Sequence, residues 1–401
     1  MGIKEKVRLA KGFADYYNKP SNPRKVKILD STLREGEQGS GVYFSIGQRV
    51  QIAWLLDYFG VDAVEISPII SKEHEESTKR IMKAGLKAKI VSHLRALPKD
   101  IDVALRCDSR YIALYHSVSD LHLNYKLRVN REQAIERMVK AIDYAKSHGL
   151  ELRITMEDAS RADPEFLIRA CKAVEEAKAD RISIPDTVGV MKPSGMYSLI
   201  RMVKDKVKVP IDVHCHNDLG LALANSLAGY EAGADQIHVT VNGIGERVGI
   251  TSLDELVMAL KILYGLELNV RYEMLRELSE TIAHYAKMDL QNSKPLVGEN
   301  AYRHKAGTHI AAVIRNPQAY EIIPPSIIGN RRKIIFGELS GKNGAAFLMK
   351  ILGLEPNPDL AIKLAQGLKN LRIGDLFEIE LSQELESEAL KVDSVMEKGV
   401  V

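Results

Sequence analysis

The chain has 401 residues, 45% of them hydrophobic and 27% charged, with 56 basic and 53 acidic side chains for a formal charge of +3. This is ordinary globular composition with room for one large core, and so even a charge balance argues against a nucleic-acid or membrane-surface partner. Three widely spaced cysteines, Cys107, Cys171 and Cys215, form no Cys-x-x-Cys pair and read as the reduced thiols of a cytoplasmic protein.

Residues 1–25 are basic and Pro-punctuated, without the apolar centre of a signal peptide, and read as an N-terminal extension made of a short helix and a tether. No apolar run reaches the roughly 18 residues that a membrane span needs. From Val26 a short apolar strand followed by an amphipathic helix recurs eight times. The spacing predicts strands at 26–33, 62–67, 87–93, 111–117, 151–157, 181–186, 210–216 and 236–242. Helices are predicted between them, among them Gly47–Phe59, Arg131–Ser147, Pro164–Ala177 and Gly220–Ala232. In the last of these, Leu221, Ala224, Leu227 and Ala228 repeat at the spacing of one helix face.

Strict strand–helix alternation demands a parallel sheet, and eight units in roughly 240 residues predict a (β/α)8 TIM barrel, here over 26–267. An open doubly wound sheet would carry Gly-x-Gly-x-x-Gly after its first strand, and that is absent. Past Tyr264 the repeat stops. Residues 268–401 read as a linker and C-terminal subdomains: a helix over 268–290, a connector over 291–310, a Pro-marked irregular stretch, a small helical unit from Pro356 to Glu380, and a frayed last ten residues. Two phosphate-loop lookalikes, Gly243–Gly249 and Gly337–Asn343, have the wrong spacing for that chemistry.

Chemistry in such a barrel sits at the carboxyl ends of the strands, and ionisable residues gather there. Arg34, Glu35 and Gln38 follow the first strand, Glu65 lies on the second, and His93 and Arg95 end the third. Arg153, Thr155, Glu157 and Asp158 end the fifth, Asp186 and Thr187 the sixth, His214 and His216 the seventh, and Asn242 the eighth. Residues two apart on a strand share a face, so His214 and His216 should converge, with Glu35 brought beside them if the ring closes. Two imidazoles and a carboxylate suit a Lewis-acid divalent cation; the bland alternative is a pair of rim histidines, with Glu35 paired to Arg34 or Arg247. The Arg34 fork can grip a carbonyl or carboxylate oxygen. His93 and Arg153 add donors consistent with a substrate bearing more than one carboxylate. In the tail, His304 and His309 are poorly spaced as a metal pair, and one histidine near Glu157 makes a better acid–base element.

Asp30-Ser-Thr-Leu-Arg-Glu-Gly-Glu-Gln38, His214-Cys-His-Asn-Asp218, Asn242-Gly-Ile-Gly-Glu-Arg247 and His304-Lys-Ala-Gly-Thr-His309 together resemble the homocitrate synthase/2-isopropylmalate synthase family, from about residue 26 to about 350. The resemblance implies a barrel enzyme that condenses acetyl-CoA with a 2-oxo acid on a divalent metal (Mg, Mn, Zn or Co). It implies metal ligands Glu35, His214, His216 and, as in isopropylmalate-type members, Asn242. Arg34 polarises the carbonyl, while Gln38, Glu65 and Thr187 complete the pocket. Glu157, His309 and Tyr320 match the acid–base group, the tail being a small, mainly helical extension exchanged between the subunits of a homodimer. Asp212 matches an acidic position kept beside the metal histidines in homocitrate-type members. Arg153 and Thr155 match positions that bind lysine as a feedback inhibitor in lysine-pathway members, and the chain length argues against a long leucine-sensing domain.

His93 in Ser-His-Leu-Arg resembles the position that selects a distal carboxylate in homocitrate-type members, which makes 2-oxoglutarate the expected substrate. Strand four, with Tyr115 and His116, departs from that type, and oxaloacetate in a Re-type citrate synthase is the alternative, followed by the monoacids of 2-isopropylmalate or citramalate synthases. Acyl-CoA lyases share the barrel, but their catalytic cysteine has no counterpart in Gly243–Gly249. A biotin-linked transferase wants a lysine where Ser183–Thr187 has none. A non-catalytic binding role predicts no metal uptake.

Overall fold

The computed structural model describes residues 2–18, 23–371, 375–382 and Leu385. The expected fraying of the last ten residues, and part of the expected tether before Val26, lie outside the described residues. The chain divides into two compact units: Pro20–Arg271 with Leu278–Asp289, and Met1–Lys19 with Tyr272–Glu277 and Leu290–Val401.

The first unit is the predicted TIM barrel. Its strands are β1 (Lys27–Asp30), β2 (Ala63–Ile66), β3 (Lys89–Arg95), β4 (Tyr111–Ser117), β5 (Glu151–Glu157), β6 (Arg181–Asp186), β7 (Ile211–Cys215) and β8 (Gln236–Val239). Each pairs in parallel with the next, and β1 closes the ring on β8 with Ile28 opposite Ile237 and Asp30 opposite Val239. Helices fall where the 3.6-residue period put them, including Ile46–Phe59, Arg131–Ser147, Pro164–Glu176 and Ala222–Ala232. The starts of the first three are chemically marked: Ser45 and Asn130 form capping boxes with Gln48 and Gln133 respectively, and Asp163 caps the helix that opens on Pro164.

Period-two alternation sorts the strand residues into two layers. At the amino-terminal end of the bore, Leu29, Ala63, Val91, Tyr111 and Ala113 form an apolar plug. One step further along, the inward positions turn polar, and Glu65, Arg153, Ser183, Asp212, His214 and His238 are all buried. The helix Ala222–Ala232 lies so close to β7 that a Cβ on Gly229 would sit 2.7 Å from a Val213 methyl, which is why its packing face carries a glycine.

The second unit contains Pro358–Asn370, a helix within the stretch where the tail was expected to be helical, together with helices Gly307–Arg315 and Lys342–Ile351 and a three-stranded sheet that were not expected. In that sheet β10 (Lys333–Gly337) lies between β9 (Arg303–His304), parallel to it, and β11 (Asp375–Glu380), antiparallel. Ile310, Ile334, Phe336, Phe347 and Leu348 form its core. The N-terminal helix Ile3–Lys11 belongs to this unit and not to the barrel. Among the described residues no helix is long and apolar enough to cross a membrane.

Candidate active site

A cavity of about 650 Å³ opens at the carboxyl ends of the barrel strands. Its wall includes Arg34, Glu35, Gln38, His93, Arg153, Thr155, Glu157, Thr187, His214 and His216, so ten of the residues singled out from sequence share one space. Glu65, fully buried, is bonded to two residues of the wall, Arg34 and Arg153.

Glu35, His214 and His216 each offer a ligand atom within 4.8 Å of the others, and all three are buried. β7 delivers His214, and His216 follows at its end, where its backbone bridges to Ile250. Glu35 sits in the turn after β1. Its Oε1 accepts the Glu246 amide proton at 3.0 Å, and its Oε2 takes a contact from Arg34 Nη1 while facing His214 Nε2 at 3.8 Å. Burial first, then the neighbouring His216 and Arg34 charges, hold the His214 pKa well below its usual value. Burial does the same, less strongly, to His216. Two neutral imidazoles and a carboxylate are the donor set a divalent cation requires. His216 Nδ1 is also buried without a hydrogen-bond partner, a cost that a bound ion or ligand would relieve. The residues present fit a metal centre.

Behind this group runs a buried ion network. Arg34 Nε donates to Glu65 Oε2 at 2.7 Å, Ser31 Oγ donates to the same oxygen at 2.6 Å, and Arg153 Nη2 donates to Glu65 Oε1. Burial pushes the Glu65 carboxyl up, but Arg34 and Arg153 outweigh it and hold the acid well below the usual range. Glu65 therefore positions both guanidinium groups and keeps each from being an unpaired buried charge. Arg34 Nη1 also lies 3.5 Å from Gln38 Oε1.

On the far strands, His93 stacks on Tyr115 with ring centres 4.9 Å apart and planes 7° from parallel. Burial, reinforced by Arg34, lowers its pKa strongly, so it meets a ligand as a neutral hydrogen-bonding ring. Arg153 Nε, Thr155 Oγ1 and Ser183 Oγ are buried with no hydrogen-bond partner. Thr187 Oγ1 accepts the Asp158 amide at 2.9 Å. Glu157 is held by Lys126 Nζ at 2.6 and 2.7 Å and by the Ser117 hydroxyl.

Three further residues singled out from sequence have partners of their own. The Asn242 amide turns to Ser279, donating to its carbonyl at 2.9 Å and accepting from its hydroxyl, because β8 ends at Val239 and Asn242 takes a positive φ of 61°. His309 and Tyr320 belong to the C-terminal unit, where their rings stack at 3.9 Å. Sequence reasoning also missed His122, Lys126 and His238, all in the cavity wall. The period-two run Gln236-Ile-His-Val-Thr240 carried the signal for His238. Lys126 comes from a π-helical turn, Leu123–Leu127, that no periodicity announced.

The comparisons with known proteins agree with this geometry. Residues 25–282 match the HMGL-like family model, and residues 296–373 match the model described as homocitrate synthase post-HMGL domain-like. The chain is 44% identical over 350 residues to a probable 2-isopropylmalate synthase of Methanopyrus kandleri, covering 87% of this chain and 70% of the relative. It is 43% identical to the homocitrate synthase AksA of the same organism, covering 87% and 88%. It is likewise 43% identical to the (R)-citramalate synthase CimA of Methanocaldococcus jannaschii, covering 88% and 71%.

Proposed function

The chain belongs to the HMGL-like family, and from that premise we propose that it condenses acetyl-CoA with a 2-oxo dicarboxylic acid, 2-oxoglutarate first and oxaloacetate second. The observation that carries the choice of a diacid is the set of unsatisfied buried groups in the cavity wall. Arg153 Nε, Thr155 Oγ1 and Ser183 Oγ have no partner, and His93 faces the same space. An apolar side chain would leave these groups unpaired, whereas a second carboxylate would satisfy them, and unmade buried hydrogen bonds cost about 1–3 kcal/mol each.

Glu35, His214 and His216 would hold a divalent cation, which supplies Lewis-acid polarisation of the keto group when bound. Arg34, fixed by Glu65, directs its remaining N–H groups at the keto oxygen and stabilises the charge that develops there. The acid–base work falls to Glu157, His309 and Tyr320. A base takes a proton from the acetyl methyl group, and the resulting carbanion forms a bond to the keto carbon. The former keto oxygen takes up a proton. Water then cleaves the thioester, releasing the CoA thiol and a new carboxylate, which makes the reaction run one way. A homodimer with an exchanged C-terminal segment is part of this proposal.

Thiol release from acetyl-CoA tests it, with 2-oxoglutarate, oxaloacetate, pyruvate and 2-oxoisovalerate compared side by side, with and without chelator. A diacid should exceed both monoacids at least about tenfold in kcat/KM, the worth of one hydrogen bond to a charged group, and chelator should abolish the rate. Preference for 2-oxoisovalerate or pyruvate would overturn the diacid reading.

A further inference from the structure

Beneath the three candidate ligands lies a row of buried groups at whose centre stands His238, to which nothing above gives a task. His214 faces Glu35 with Nε2, at 3.8 Å, so its other nitrogen points into the protein. That Nδ1 lies 3.4 Å from Nδ1 of His238 on β8. The far nitrogen of His238, Nε2, lies 3.3 Å from Asp212 Oδ2 and 3.0 Å from Arg153 Nη1. His238 is 1% exposed and Asp212 0%, and Arg181 Nε stands 3.3 Å from the other Asp212 oxygen. Water has little access to this row, so its protons must be shared among these groups.

A neutral imidazole has one N–H and one bare nitrogen, and the row therefore has two consistent arrangements. In the first, His238 Nε2–H donates to Asp212, its bare Nδ1 accepts from His214 Nδ1–H, and His214 Nε2 is left with a free lone pair facing Glu35. In the second, His238 Nε2 is bare and accepts from Arg153. Its Nδ1–H then faces His214, whose proton must move to Nε2 and block the ligand nitrogen. Arginine is always a donor and Asp212 always an acceptor when ionised, so the choice rests on one ring.

We infer that His238 is the positioning residue that selects the metal-ready tautomer of His214, with Asp212 as the acceptor that holds it there. This rests on the metal-site reading of Glu35, His214 and His216. The expectation follows from how outer carboxylates and carbonyls orient metal-bound imidazoles, where losing the partner typically costs 10- to 100-fold in metal affinity. This arrangement requires the 3.0 Å approach of Arg153 Nη1 to His238 Nε2 to open, while Arg153 keeps its partner Glu65 through Nη2.

Calorimetric titration of the chelator-treated full chain with Mn2+ provides the test. His238→Leu removes the acceptor and should weaken Mn2+ binding about 10- to 100-fold, while His238→Gln, which keeps an acceptor oxygen, should restore most of the loss. Wild-type affinity in a folded His238→Leu, with the fold checked by circular dichroism, overturns the inference. A second readout needs no variant: in the Zn2+-loaded wild-type protein, 15N spectra of labelled histidines should show His238 protonated at Nε2 and bare at Nδ1. A proton on Nδ1 overturns it too. If the wild-type chain binds no Mn2+ at all, the metal-site reading itself fails, and that outcome is distinct from equal binding by wild type and variant.

Discussion

His93 illustrates how much one side chain can decide. It is a neutral ring pressed flat on Tyr115, with Arg34 and Glu65 nearby, and it adds a directional hydrogen bond to a wall that already carries unsatisfied donors. Removing it should therefore discriminate between substrates more than it impairs turnover. His93→Ala is expected to lower kcat/KM for 2-oxoglutarate about 10- to 100-fold, the range of a hydrogen bond to a charged group, and to change the pyruvate value less than about threefold. Steady-state kinetics on both acids checks this, and equal losses would show that His93 acts on the barrel and not on the distal carboxylate. At this scale the sequence was most informative where a residue ends a strand. Glu35, His214 and His216 were legible because strand-end position and period-two spacing together imply convergence. Asn242 was less so, since one left-handed residue was enough to turn its amide to Ser279.

The loop Gly243–Gly249 shows how an element sets the position of a ligand. Its Glu246 amide fixes one oxygen of Glu35, and it must fold back on itself to reach. Gly249 has a φ of +78°, and a Cβ there would lie 1.8 Å from the Gly243 carbonyl oxygen. Gly249→Ala would thus meet both a left-handed backbone, a strain of about 1–3 kcal/mol, and a backbone clash. The expected outcome is a melting temperature several degrees lower and Mn2+ binding weakened at least tenfold, read by calorimetry; unchanged binding would mean that the loop does not position Glu35. Element boundaries in the barrel were readable because every strand is followed by a helix with its own period, several of them opened by a side-chain cap such as Ser45, Asn130 or Asp163. The sheet of the C-terminal unit was not. Its strands are short, β9 only two residues long, and β11 pairs with a strand some forty residues earlier, so the helical period of Pro358–Asn370 dominated the local pattern.

Over the whole molecule, burial of titratable groups couples folding to pH. His93, His116, His214, His216 and His238 all have pKa values lowered first by burial. Near pH 6 the unfolded chain binds protons on these rings, with ordinary values of about 6.5, and the folded chain does not. Stability contributed by the neutral rings is complete above that value and is lost as the pH falls below it. Asp30 works the other way: burial raises it to about 7, so the folded state holds a proton that the unfolded state has released, favouring folding as the pH falls. Five groups against one give the direction. The melting temperature of the chelator-treated protein should drop by several degrees between pH 7.5 and pH 5.5, and a constant or rising value would contradict the burial of these rings.

Ring closure has one further consequence. Glu35 follows β1 and the histidines close β7, and they become neighbours only once β8 has paired with β1, about two hundred residues away along the chain. A polypeptide emerging from the ribosome therefore cannot present all three candidate ligands together before the ring closes. A cation held by all three side chains would thus meet a ring that has already closed.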